Sequence, residues 1–136
     1  MRIFLDANVL FSAAKSDGAV RQLLMLLEKS GHECCVDGYV IEEARRNLVA
    51  KAPDRVVALE SLLSRTTTAG AQRSDTALEA SLPLPAKDRP VLAAAIRQSC
   101  AVLVTGDRTH FGALYGRTIQ GVTIHSPRSL AETLLV

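Results

Sequence analysis

The sequence predicts an α/β domain with three layers, in which helices cover both faces of a central parallel sheet of about five strands. Short apolar segments rich in branched aliphatic residues alternate along the chain with longer segments of helical periodicity. The composition agrees, because 48% of the residues are hydrophobic, only 4% are aromatic and none is Trp. Strands that alternate with helices pair in parallel through right-handed crossovers.

The first predicted strand runs from Arg2 toward Leu10. This segment is apolar and suited to a strand except at Asp6 and Asn8. An uninterrupted apolar run is typical of a strand buried on both faces of a parallel sheet. The strand is therefore predicted to break at Asp6, and a polar break at the carboxyl end of a buried strand indicates a functional edge.

The other elements are predicted from apolar periodicity and from the residues that begin or end helices. Pro53 and Pro90 suit first helical turns, Gly31 is a plausible helix stop, and the prolines of segment 82–85 favour an extended connector. The predicted order is helix 19–29, strand 33–37, helix 40–49, helix 55–64, edge strand 66–68, short helix 72–81, a helix that Asp88 caps and that includes 91–96, strand 101–104, strand 122–125 and helix 129–136. At 136 residues and without a repeat or linker, residues 1–136 are predicted to form one domain.

The amino-terminal segment and the cysteines exclude several classes of protein. An Asp interrupts the apolar run of residues 1–10, so this run fits neither a signal peptide nor a membrane span, and we expect a cytoplasmic protein. Cys34, Cys35 and Cys100 make an odd count without C-x-x-C spacing, which is a poor disulfide framework and a poor zinc site. We interpret them as small buried apolar residues.

The charge balance suits an anionic substrate if some acids are sequestered. The chain carries 16 basic and 14 acidic residues, a net charge of +2. If four acids share one pocket, the rest of the chain carries a net charge of +6. A basic surface around an acidic pocket attracts phosphates to the rim and cations to the centre.

Four acids are candidates for such a pocket. Asp6 and Asp107 each end an apolar strand, and ligands of parallel sheets bind beyond the carboxyl ends of the strands. Glu43 and Asp88 lie near the amino ends of helices that could lean over the same crevice. Crowded carboxylates must either hold protons or be neutralised by cations. Oxygen ligands select Mg²⁺ or Mn²⁺, and a pair of such ions can activate a water for phosphodiester cleavage.

Each acid also has an ordinary structural interpretation. Asp88 could be an N-cap, Asp107 a turn residue, and Glu43 part of a solvated helix face, with Glu42 as its competitor for the pocket. Asp6 differs from the others because a carboxylate directly after an apolar strand is costly to bury unless it is paired or coordinated.

Basic side chains near these acids are candidate phosphate contacts, with an ordinary surface role as the alternative for each. The first choices are Arg46, Arg89 and Arg108, and further candidates are Arg45, Lys87 and Arg117. His110 lies near Asp107 and could contact substrate, but we interpret it as structural, because no nucleophile or base is spaced to pair with it.

Four segments, in chain order, resemble the successive motifs of PIN-domain ribonucleases. They are IFLDANVL (3–10), EARRNL (43–48), KDRPVLAAA (87–95) and LVTGDRTHF (103–111), with VTIHSP (122–127) after them. The resemblance implies a five-stranded parallel sheet, a Mg²⁺ or Mn²⁺ site and cleavage of single-stranded RNA. It further implies metal ligation by Asp6, Glu43, Asp88 and Asp107, and it places Asn8 and Thr105 where such proteins often hold polar support for the site.

Many compact bacterial members of this family are toxins similar to VapC. The resemblance therefore implies a small antitoxin protein as partner and commonly a homodimer, with no membrane association. Segment 53–85 matches no family motif, so substrate and partner preferences could differ there.

Two other functions stay open at this point. A phosphatase with an aspartyl nucleophile would generally carry a second acid two residues after Asp6, and this position is Asn8. A non-catalytic RNA-binding or interaction module with a nuclease-like fold is the other alternative, although all four acidic positions are filled.

Overall fold

The computed structural model describes residues 1–69 and 75–135. The strands in these residues are β1 (Arg2–Leu5), β2 (Glu33–Asp37), β3 (Thr67–Ala69), β4 (Val102–Val104), β5 (Thr118–Ile119) and β6 (Val122–His125). The helices there are α1 (Ala7–Lys15), α2 (Ala19–Lys29), α3 (Gly38–Lys51), α4 (Val56–Leu63), α5 (Thr76–Ser81), α6 (Arg89–Arg97), α7 (Arg108–Phe111) and α8 (Pro127–Leu134). Short 3₁₀ turns lie at Pro53–Arg55 and Gly112–Leu114.

The strands form one sheet in the order β3-β2-β1-β4-β6-β5, which confirms the predicted three-layer α/β fold. All neighbouring pairs are parallel except β5 and β6, which form a hairpin. The described sheet thus has six strands, one more than the roughly five predicted. The extra strand has two residues, too few to give a sequence pattern. Its turn places Gln120 at φ 48° and Gly121 at φ 86°, as a two-residue hairpin loop requires.

The strand break predicted at Asp6 is confirmed, but the helix that follows it was not predicted. β1 ends at Leu5, and residues 7–10, which had been included in the strand-like segment, belong to α1. The Asp6 backbone is extended, and its side chain accepts the Ala7 N–H, which starts the helix. Five residues of α1 are buried, and an apolar run of this kind does not distinguish a buried helix from a buried strand.

Most other elements lie where they were predicted. Strands β2 and β6 have the predicted bounds, and β3 is at a sheet edge. α8 begins at Pro127, two residues early, because Ser126 and Ser129 form a reciprocal capping box. The predicted helix 72–81 is described only from Thr76, where Asp75 caps it; residues 72–74, like Val136, lie outside the described residues.

The two central strands of the sheet are buried and end at the same level. Strands β1 and β4 lie at the centre of the sheet, and Phe4, Leu5 and Leu103 are completely buried. The three cysteines are buried free thiols, as interpreted from the sequence. None of the described helices is long and apolar enough to cross a membrane. Leu5 pairs with Val104 in parallel register, so both strands end at the same level of the sheet.

Candidate active site

The two acidic strand ends meet at one edge of the sheet. β1 and β4 are parallel neighbours, and the Asp6 N–H donates to the Val104 carbonyl across 3.1 Å. Thr105, the first residue after β4, donates its hydroxyl to Asp6 Oδ2 at 2.8 Å. Residues almost a hundred positions apart in sequence are therefore in direct contact.

Asp6 is a buried carboxylate that accepts three hydrogen bonds. The residue is 5% exposed, its Oδ1 accepts the Ala7 N–H at 2.7 Å, and its Oδ2 accepts from Asn8 and Thr105. Burial raises the pKa of Asp6 from 3.8 to about 6; the bonds from Thr105 and Ala7 oppose this rise, and the charges of Glu43 and Asp88 add to it. Ionised Asp6 is therefore costly here unless a cation is bound nearby.

Asn8 and Thr105 join the start of α1 to the turn after β4. The Asn8 amide group donates to both Asp6 Oδ2 and Thr105 Oγ1 at 3.2 Å, and its Oδ1 accepts the Gly106 N–H at 2.7 Å. Thr105 Oγ1 also accepts the Asp107 N–H at 3.2 Å. These bonds orient Asp6 Oδ2 and the backbone of the turn that carries Asp107.

Asp88, Asp107 and His110 form a second group beside Asp6. Nδ1 of His110 lies 2.9 Å from Asp107 Oδ2 and 3.0 Å from Asp88 Oδ2. Asp107 also caps α7, because its Oδ1 accepts the His110 N–H at 3.1 Å. One potential ligand atom from each of the three residues can be chosen so that all lie within 4.8 Å of one another.

The structure gives Asp88 no role as a helix cap. It occupies the N-cap position of α6, but its side chain makes no capping hydrogen bond. Its Oδ2 is buried without a hydrogen bond, although His110 Nδ1 is only 3.0 Å away. The single hydrogen on Nδ1 cannot point at Asp88 and Asp107 together. Burial raises the pKa of Asp88, and the nearby Asp107 adds to the rise, while His110 and Lys87 oppose it.

Of the two adjacent glutamates, Glu43 faces the other acids. It is half-buried, whereas Glu42 is exposed. The charge of Glu43 raises the pKa of both Asp6 and Tyr39. Within residues 1–69 and 75–135, Glu43 makes no hydrogen bond to Asp6, Asp88 or Asp107, so it joins the group through electrostatics alone.

Some of the candidate phosphate-binding arginines already contact other groups of the protein. Arg89 donates from Nε to the Leu84 carbonyl at 2.7 Å, which holds the connector before α6. Arg45 pairs with Glu60 at 2.6 Å. Arg46 and Arg108 are exposed, and their charges oppose the rise that burial causes in the pKa of Tyr39 and Tyr115, respectively.

Three residues at the site carried no functional prediction. They are His110, Tyr39 and Tyr115. Tyr39 donates its hydroxyl to the Lys87 carbonyl at 2.9 Å, and 45% of its surface is exposed. Burial raises the pKa of Tyr39, and Glu43, Asp88 and Asp6 add to the rise. Tyr115 donates to the Thr105 carbonyl at 2.8 Å. No sequence spacing links either tyrosine to the acids.

The group has the chemistry of a site for a hard divalent cation. Its donors are carboxylate oxygens with one imidazole nitrogen, and charged oxygens of this kind suit Mg²⁺ and Mn²⁺. Two observations fit a bound cation: Asp6 is buried with a raised pKa, and the buried Oδ2 of Asp88 lacks a hydrogen-bond donor. A cation would compensate both.

Two comparisons with known proteins used the sequence of the chain. A family model described as "PIN domain" matches residues 2–109. A search of curated proteins found no match.

Several solved structures share the fold. VapBC2 from Rickettsia felis, bound to a promoter DNA fragment, matches with TM-score 0.69 and 19% identity, covering 93% of this chain and 98% of that one. VapBC-1 from nontypeable Haemophilus influenzae matches with TM-score 0.65 and 13% identity, covering 94% and 99%. FitAB bound to a DNA fragment called IR36 matches with TM-score 0.60 and 18% identity, covering 92% and 94%. At these identities the likeness shows a shared fold.

Proposed function

The chain belongs to the PIN-domain family, and from that premise we propose that it is a Mg²⁺- or Mn²⁺-dependent endoribonuclease that cleaves single-stranded RNA. The observation that supports the proposal is the cluster of Asp88, Asp107 and His110, together with the buried Asp6, whose pKa the charges of Glu43 and Asp88 help to raise. Anionic side chains gathered in this way suit metal-assisted phosphodiester hydrolysis.

The proposed roles follow from the contacts of each residue. Asp6, Glu43, Asp88 and Asp107 would hold the metal, which supplies an activated water and stabilises the leaving oxygen. Asn8 and Thr105 fix the orientation of Asp6 through its Oδ2. These supporting bonds keep the carboxylates in place before substrate arrives.

The substrate would be held mainly through its backbone. Arg46 and Arg108 are exposed near the acids and would contact phosphates, whereas Arg89 would act chiefly through the connector that it holds. Tyr39 offers an exposed ring beside the acids, on which one base of a single strand could stack.

We further propose that the protein is the toxin of a toxin–antitoxin pair, acting in the cytoplasm as a homodimer with a small antitoxin partner. The proposal is supported by the fold shared with proteins of the VapBC and FitAB complexes over more than nine-tenths of this chain. The chain also has an apolar cavity of about 370 Å³ between α2 and α4. Met25, which lines it, and the adjacent Leu26 are 45% and 46% exposed.

A cleavage assay with matched variants tests the nuclease. We expect the protein to cut single-stranded RNA with Mg²⁺ or Mn²⁺ and to lose activity in EDTA. Asp6→Asn and Glu43→Gln should each lower the rate more than about 100-fold, the upper end of the loss seen when only supporting residues of a metal site are removed. Glu42→Gln is the matched control and should retain the wild-type rate.

The same assay can contradict the proposal. Cleavage that survives in Asp6→Asn, or equal loss in the Glu42 and Glu43 variants, would rule out the proposed assignment of residues. RNA binding without cleavage in the presence of either metal would instead favour the non-catalytic module. Single-stranded DNA is included as a second substrate to test the preference for RNA.

The partner is tested through the neighbouring reading frame. A short adjacent gene should encode a DNA-binding protein that co-purifies with this chain and inhibits cleavage. Met25→Glu should weaken this complex if the cavity holds the antitoxin, while an unchanged complex would place the partner elsewhere.

A further inference from the structure

We propose that His110 supplies a nitrogen ligand to an ion held between Asp88 and Asp107, and that the site therefore favours Mn²⁺ over Mg²⁺. The inference rests on the proposed function, because it concerns the same metal site. It goes further by naming an additional ligand and the preferred ion.

The distances match those of ligands around one ion. Nδ1 of His110 is 2.9 Å from Asp107 Oδ2 and 3.0 Å from Asp88 Oδ2. Neighbouring ligands of an octahedral ion with metal–ligand distances of about 2.1 Å are about 3.0 Å apart. The nitrogen is therefore already at ligand spacing from both oxygens.

Hydrogen bonding alone leaves this group incomplete. A neutral imidazole has one N–H, so Nδ1 can donate to only one of the two carboxylates. The bond goes to Asp107, and the buried Oδ2 of Asp88 receives none. If an ion replaces the proton on Nδ1, it can contact both oxygens and the nitrogen at once, and the buried Oδ2 of Asp88 then has a partner.

His110 is also held in position by its own helix. α7 contains only four residues and begins directly after Asp107, whose Oδ1 accepts the His110 N–H. The next residue, Phe111, is completely buried and anchors the helix to the core. Asp107 and His110 therefore stay on one face of the same turn, which limits the ordering that ion binding would require.

The nitrogen determines the expected ion preference. Mg²⁺ binds mainly oxygen ligands and retains several waters, whereas imidazole suits transition metals. An imidazole ligand should therefore add more affinity for Mn²⁺ than for Mg²⁺.

The test measures metal binding without RNA. Pulsed EPR of substoichiometric Mn²⁺ should show coupling to a directly bound imidazole nitrogen in the wild-type protein, lost in both His110→Ala and His110→Gln. Calorimetry should show that His110→Ala weakens Mn²⁺ binding at least about tenfold and Mg²⁺ binding less than about twofold. His32→Ala, a histidine that contacts the amino terminus, is the matched control and should leave both unchanged. Circular dichroism checks that each variant is folded.

Three results would overturn the inference. These are a nitrogen coupling that persists in folded His110 variants, equal losses of Mn²⁺ and Mg²⁺ affinity, or a gain in affinity for both ions. The last result would mean that the imidazole competes with the ion. Failure of the proposed function gives a different result. If the wild-type protein shows the nitrogen coupling but does not cleave RNA, His110 is still a ligand and the proposed nuclease activity is wrong. If the wild-type protein binds no Mn²⁺, both proposals are wrong.

Discussion

Replacement of Asp6 by Asn should make the metal-free protein more stable above pH 7 while it removes cleavage. The reason is the burial of Asp6, which raises its pKa from 3.8 to about 6. The native state thus binds the Asp6 proton more tightly than the unfolded chain does. Protonated Asp6 is favourable to folding near pH 4, and this advantage is lost as the pH rises through about 6.

The size of the effect follows from the two pKa values. At 1.36 kcal/mol per pH unit, the interval between 3.8 and about 6 corresponds to about 3 kcal/mol. With its oxygen at the position of Oδ1, where it accepts the Ala7 N–H, Asn places an NH2 group at Oδ2, and this nitrogen cannot accept the bonds that Asn8 and Thr105 donate there, a loss of about 1 kcal/mol. Asp6→Asn should therefore be less stable than the wild type at pH 4 by about 1 kcal/mol, and more stable at pH 8 by about 2 kcal/mol.

Urea unfolding followed by circular dichroism at pH 4 to 8 in EDTA measures this difference. Asp75→Asn, an exposed helix cap, controls for the loss of a carboxylate outside the site. Mn²⁺ at pH 8 and at a hundred times its dissociation constant should stabilise the wild type by about 2.7 kcal/mol, and the same Mn²⁺ concentration should stabilise the variant less. A stability difference that stays constant from pH 4 to 8 would refute the reasoning, because it would mean that Asp6 is not a buried carboxylate with a raised pKa.

Three further perturbations have expected outcomes. Thr105→Val removes the hydrogen bond that lowers the pKa of Asp6, so the loss of stability that accompanies ionisation of Asp6 should occur at a higher pH in this variant than in the wild type. Its cleavage rate should fall about 10- to 100-fold. Arg46→Ala should raise KM several-fold and weaken the salt dependence of RNA binding. Arg45→Ala should change neither, because Arg45 is paired with Glu60. Equal effects of the two substitutions would contradict a specific phosphate contact by Arg46. Tyr39→Ala should weaken RNA binding about 5- to 150-fold and Tyr39→Phe much less, since a stacked base is worth about 1–3 kcal/mol. Similar losses in both variants would assign the effect to the hydroxyl.

The sequence predicted those parts of the fold that depend on local pattern. β2 and β6 are short apolar runs between clear breaks. The parallel pairing of most strands follows from the alternation of strands and helices. α1 was missed, because its buried apolar residues continue directly from those of β1. β5 was missed because two residues form a strand only through pairing with β6.

The site, like the fold, was predictable only in part. That Asp6 and Asp107 lie at one edge of the sheet could be inferred, because parallel strands present their carboxyl ends at the same edge. That β1 and β4 are neighbours is known only from the structure. The position of His110 could not be inferred, since α7 is too short for helical periodicity. Its contact with Asp88 also depends on how α6 and α7 approach each other, which no local sequence pattern specifies.

A single residue separates the end of β1 from the start of α1, and that residue is Asp6. One inserted residue at this junction would turn α1 by about 100° relative to the sheet and move its buried face away from the core. Chain length here is therefore constrained twice, by packing and by the position of the carboxylate. Variants with altered substrate range are better sought by changing the length of the segment between β3 and α6, where an insertion leaves this junction intact.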